Sequence, residues 1–194
     1  MKIKNRLFII ISLLMLLSLV VVTGCGENSS HPVTDDQLAE IYENARQALT
    51  WFHMSTMEVD WSAEGIQGEG YTFWLPVVHQ TIHTLADLQA HLRQLFVEDF
   101  VNDLLFGDNV MYRDFDGVLH GFAADRGGNI LAGEETHEII RLDDDTIIYR
   151  VSVDIHVDTA WMDPPPAIDY VEVFDFYMVY ENGNWLFSNF ELVR

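Results

Sequence analysis

One thiol stands in the whole chain, and its setting dictates its chemistry. Cys25 closes the tetrapeptide Val22-Thr23-Gly24-Cys25. Lys2, Lys4 and Arg6 make a basic start, and Leu7 to Val22 is apolar apart from Ser12 and Ser18. This is the pattern of an export signal. Small residues before a cysteine are what a lipoprotein signal peptidase cleaves after, once the thiol has been acylated. The expected product begins at a lipidated Cys25. The competing reading is an uncleaved transmembrane anchor, for which the run falls just short of the ~20 residues of a span. A thiol that carries lipid is lost to nucleophilic and disulfide chemistry, and no cysteine follows it.

Other groups could do chemistry if the fold gathered them. His79, His83 and His91 are spaced by four and eight. On one continuous helix that spacing would offer three imidazoles to zinc. Pro76 and a helix cap at Thr84 put His79 and His83 outside the helix, so no metal site is expected. Asp114, Asp116 and Gly117 match a fragment of a calcium loop, without its further acids or closing Glu. Asp143 to Asp145 reads as a turn, where aspartate bonds local backbone. Tyr149, Tyr177, Asp154 and Asp175 are the residue types of a buried proton-abstraction site. They are also ordinary strand residues. The expectation is a non-catalytic domain without cofactor.

Two loops are better suited to gripping a partner. Asp125, Arg126, Gly127, Gly128 and Asn129 combine one of few cations with two glycines that permit close backbone approach. Trp161 and Met162 precede Pro164-Pro165-Pro166 and offer a bulky anchor. Trp51, Trp61, Trp74 and Trp185 are assigned to the core.

The charge balance narrows the partners. The chain is −21, and removal of residues 1–25 takes this to −24. Beyond that point the only strong bases are seven arginines. Such a surface repels nucleic acid and anionic headgroups over a Debye length of roughly 8–10 Å. Nucleic-acid binding is excluded on this ground, and a basic protein partner is favoured. The membrane is reached through the lipid, each buried methylene contributing about 0.8 kcal/mol.

Local signals along the chain set out the elements that position these groups. Residues 26–33 form a polar tether spanning roughly 15 Å, and 34–194 a single domain. Thr34-Asp35-Asp36-Gln37 is a capping box. Leu38, Ile41, Ala45, Ala48, Leu49 and Phe52 follow at helical spacing. Residues 57–70 are irregular, and Tyr71 to Leu75 is a short strand ended by Pro76. Thr84-Leu85-Ala86-Asp87 opens a second helix that continues, after a break near Val97, to Gly107. Strands then dominate: 110–113, 118–123, 137–142, 146–157, 168–180 and 185–193. Asp116-Gly117 and Asn182-Gly183 are hairpin turns. Ile147, Tyr149, Val151, Val153, Ile155 and Val157 alternate onto one face. Helices before antiparallel strands predict an α+β fold, its N-terminal helices packed on a curved antiparallel sheet.

Five stretches carry a resemblance. They are Tyr71 to Phe73, Thr84 to Phe96, Asp116-Gly117-Val118-Leu119, Ala124 to Asn129 and Gly183-Asn184-Trp185. Their order resembles the bacterial DL-endopeptidase inhibitor family, whose members restrain peptidoglycan-cleaving NlpC/P60-type enzymes. The order of elements looks like the cystatin-like cone of nuclear-transport-factor-2-like domains. The resemblance implies a cone-shaped domain that occludes a cell-wall hydrolase with its loops. The alternative expectation is a small-ligand-binding or sensing domain using the cone pocket.

Overall fold

Two threonines start the helical layer. Thr34 opens α1 (Asp35–His53): its hydroxyl accepts from the Gln37 N–H, and the Gln37 side chain accepts from the Thr34 N–H. Thr84 and Asp87 repeat this reciprocal cap at the start of α2 (Leu85–Leu92). Both boxes stand where the sequence spacing placed them. Residues 93–97 interrupt the helix, and α3 (Glu98–Phe106) follows, stopped where the Gly107 N–H bonds the Asp103 carbonyl.

The computed structural model describes residues 31–68, 73–125, 127–157 and 167–193. The chain divides into Met1–Pro32 and Val33–Arg194, and every helix and strand named in this subsection belongs to the second unit. Residues 1–30 with Cys25, the residues Tyr71 and Thr72, Arg126, and the Trp161-Met162 loop with its prolines lie outside the described residues. Among the described residues, no helix is long and apolar enough to cross a membrane.

The strands form two antiparallel sheets rather than the single curved one expected. β1 (Ile66–Gln67), β2 (Phe73–Pro76), β3 (Tyr112–Phe115) and β4 (Val118–Phe122) pair in the order β1-β2-β4-β3. β5 (Ala132–Arg141), β6 (Thr146–His156), β7 (Ile168–Glu181) and β8 (Asn184–Phe187) pair in sequence order. The division falls after β4. There the Thr56 N–H bonds the Ala124 carbonyl, and the Thr56 hydroxyl accepts from the Ala124 N–H. β4 is an inner strand, paired with β2 on one edge and with β3 on the other, so it offers no free edge to β5.

Both hairpin turns have the expected left-handed backbone: φ is 54° and 80° at Asp116-Gly117, and 53° and 88° at Asn182-Gly183. Ile147, Tyr149, Val151, Val153 and Ile155 are buried, as their alternation predicts. Val157 departs from it, lying past the end of β6 and 40% exposed. The last strand is also shorter than expected. Beyond Phe187 the Asn189 side chain accepts from the Tyr177 N–H and donates to the Asp175 carbonyl. It stands in for a continuing strand and frees the chain to turn Phe190 into the core, stacked 4.5 Å from Phe176.

α1 joins the two sheets into one core. Tyr42, in its first half, stacks on Tyr149 of β6 at 4.8 Å. Phe52, in its last turn, meets Tyr112 of β3 edge-on at 5.1 Å. The Tyr112 hydroxyl donates to the Trp51 carbonyl and accepts from the Met57 N–H, both at 2.9 Å. Beneath α1 the space against β6 and β7 is filled by Tyr42, Tyr149, Phe176 and Phe190.

Candidate functional site

The segment that leaves α1 builds a groove with the end of β4. Ser55 bridges Asp125 in antiparallel register, and Thr56 donates its hydroxyl to the Phe122 carbonyl at 2.6 Å. Val59 bridges Val77, and the Asp60 N–H bonds the Pro76 carbonyl, so the same segment is anchored on the other side. Between these anchors lies a groove of about 360 Å³, lined by Thr56, Met57, Val59, Trp61, Ala124 and Asp125 among others. Gly121 makes the close approach possible: a Cβ there would lie 2.7 Å from the Thr56 methyl.

Trp61 stands at this groove and is 76% exposed. This corrects the sequence reading, which assigned it to the core with Trp51, Trp74 and Trp185. Trp74 and Trp185 are buried, and Trp51 is partly buried against the core. The Asp60 carboxylate explains the difference. It accepts from the Ser62 N–H at 2.8 Å and from the Ser62 hydroxyl at 2.6 Å. The resulting turn carries the indole outward, and these bonds hold the Asp60 carboxyl below the usual aspartate range. The signal was present in the sequence. Asp60-Trp61-Ser62 has turn chemistry, with an aspartate suited to bonding the backbone two residues on.

The loop beyond Asp125 is distributed along the same end of α1. Gly128 faces the Met54 side chain, and among the described residues a Cβ on Gly127 would meet nothing within 4 Å. Asn129 forms the local turn, its side chain accepting from the Leu131 N–H at 3.0 Å. Asp125 and Trp61 therefore line one groove, whereas Asn129 is committed to its own backbone.

The other candidate sets separate in space. Tyr149 faces the core, while Asp154, Asp175 and Tyr177 lie on the opposite face of the sheet. Asp175 is held by Arg150 through two bonds of 2.6 and 2.9 Å, which draw its pKa down. Burial, then the charges of Glu43 and Glu135, pushes the Tyr149 phenol up to about 12. His79 and His91 flank the Trp51 ring at 5.9 and 5.5 Å. Burial against it, followed by the nearby His79, draws the His91 pKa down. His83 joins neither ring contact: its backbone N–H serves the Asp87 carboxylate. Among the described residues, no group of three or more His, Cys, Asp and Glu is placed to hold a metal ion. Asp114 spends its carboxylate on the Gly117 N–H, and Asp143 on the Asp145 N–H.

These elements define an α+β domain with two antiparallel sheets and an open groove bearing an exposed indole. No protein-family model matches the chain, and no curated protein matches it.

Proposed function

We propose that this chain is a membrane-tethered, extracytoplasmic lipoprotein whose domain binds another protein without performing chemistry on it. The observation that carries the reading is the exposed Trp61 beside Asp125 at the groove. Tryptophan is enriched among the anchors of protein interfaces, and this one stands at the rim of a groove. In its sharper form the partner is a peptidoglycan DL-endopeptidase, whose cleft the groove face occludes. The resemblance to DL-endopeptidase inhibitors supports this form, as it supports a cystatin-like, nuclear-transport-factor-2-like cone as the finer description of the fold. Lipid on Cys25 keeps the domain beside the wall. A net charge of −24 without residues 1–25 favours a basic partner and speeds encounter with it.

The test titrates the full chain, in non-ionic detergent, into peptidoglycan digests run by NlpC/P60-type enzymes. Digestion is expected to slow at micromolar protein, and association to slow as salt rises. Trp61→Ala should weaken the effect at least about tenfold without moving the unfolding midpoint. If no such enzyme is slowed or bound, the hydrolase reading fails. If Trp61→Ala acts like the parent, the groove is not the contact. A small-ligand-binding or sensing domain is the second reading, favoured by a separate cavity at the ends of α1 and α3.

A further inference from the structure

The last turns of α1 and α3 converge on a cavity of about 370 Å³. Its apolar walls are Phe52, Phe100, Leu104 and Phe190, and its polar groups include Asp103 and Asp108. The aromatic walls are held by neighbours. Phe100 stacks on Phe96 at 4.8 Å, and Phe190 stacks on Phe176 and meets Phe187 edge-on. Phe52 is braced by Tyr112. Such walls need little reordering to accept a guest.

Three features bias this cavity toward a cation, and one lining residue, His53, stands against them. Phenyl faces present the negative side of their quadrupole. Helix C-termini carry the equivalent of about half a negative charge, and the cavity is lined by the last turns of two helices, Phe52-His53 and Asp103-Leu104. The last turn of α3 holds no base to offset this, whereas that of α1 ends in His53. Asp103 and Asp108 add two carboxylates. The five described arginines are engaged elsewhere. Arg46 pairs with Glu43, Arg93 with Glu98, Arg141 with Asp35, and Arg150 with Asp175, while Arg113 lies over the Trp74 ring.

We propose that this cavity is a binding site for a small organic cation, an alkylammonium of about the size of choline. The apolar walls take its methyl and methylene groups, and the rings and carboxylates take its charge. A hard metal ion is a poor fit, since it needs six or more oxygen ligands and gains nothing from phenyl walls. An anion is repelled by both carboxylates and by the two helix C-termini. The cavity does not share its lining with the Trp61 groove, so the proposal holds whether or not that groove binds a protein.

The experiment is isothermal titration of the full chain, in maltoside detergent, with choline and with 3,3-dimethylbutan-1-ol, its uncharged carbon analogue. Choline is expected to bind saturably with a Kd below about 10 mM, and the alcohol roughly tenfold more weakly. Asp103→Asn and Asp108→Asn, both at exposed positions, should each weaken choline several-fold and leave the alcohol unchanged. The unfolding midpoint of each variant confirms that it is folded. Equal affinity for choline and the alcohol would make the cavity a plain apolar site and overturn the proposal. So would absence of saturable heat, or full choline affinity in the double Asn variant. None of these outcomes bears on hydrolase inhibition, which is read in a different assay.

Discussion

Tyr42 and Tyr112 allow one substitution to be made twice with opposite expected signs. Both are 1% exposed. Burial pushes both phenols upward, so both stay neutral at pH 7. The Tyr112 hydroxyl joins two backbone groups, the Met57 N–H and the Trp51 carbonyl. Among the described residues, the buried Tyr42 hydroxyl has no hydrogen-bond partner, and its ring is surrounded by His137, Tyr149, Phe176 and Phe190. Tyr112→Phe strands two backbone groups in the core, each costing about 1–3 kcal/mol, softened by relaxation to a net loss of about 2 kcal/mol. Tyr42→Phe removes an unpaired hydroxyl whose burial costs about 1–3 kcal/mol, at the expense of a few oxygen contacts at ~0.1–0.2 kcal/mol each. Its expected outcome is a net gain of about 1 kcal/mol. The two variants should then differ by about 3 kcal/mol, or roughly 6–12 °C in Tm for a domain of this size. Urea unfolding followed by tryptophan fluorescence measures both, since Trp51, Trp74 and Trp185 are buried or partly buried. If Tyr42→Phe loses as much stability as Tyr112→Phe, the hydroxyl is satisfied and the accounting is refuted.

Gly121→Ala should cost about 1–3 kcal/mol, because the new methyl would lie 2.7 Å from Thr56 and 3.3 Å from Tyr112; an unchanged urea midpoint would contradict the close approach. The Asp87 carboxylate accepts from the His83 N–H and from Thr84, which hold its pKa below the usual range. A depressed carboxyl stabilises the fold above its unfolded pKa, and that stabilisation is lost as pH falls through the folded value. Asp87→Asn should therefore be less stable than the parent at pH 7, and the gap should close in strong acid, as pH-dependent melting would show. The lipid reading of Cys25 expects the mature protein to lack residues 1–24 and to carry acyl mass at its first residue. A Cys25→Ser protein that stayed uncleaved and wholly in the membrane fraction would point instead to a transmembrane anchor.

Features decided within a few residues were legible before any coordinates. The two capping boxes at Thr34 and Thr84 place a hydroxyl and an acceptor three positions apart, which one helical turn brings together. Asp116-Gly117 and Asn182-Gly183 suit the left-handed backbone of tight hairpins. The alternation along β6 determines which side chains meet the core, and it already implied that Tyr149 and Asp154 point to opposite faces. The α+β class followed from the order of these local signals. Tertiary structure decided the rest. The strands divide into two sheets because β2, which precedes α2 in the chain, pairs with β4 and together with β3 fills both of its edges. The turn at Asp60 and Ser62 is local, but its place at the groove is not: it is set by the bridges of its segment to Asp125 and Val77. The groove with Asp125 and the cavity between Phe52, Phe100 and Phe190 join residues far apart in the chain. Local sequence encodes dihedral preference and the nearest hydrogen bonds. Which distant backbone groups and rings satisfy one another is settled only when the whole chain competes to bury them.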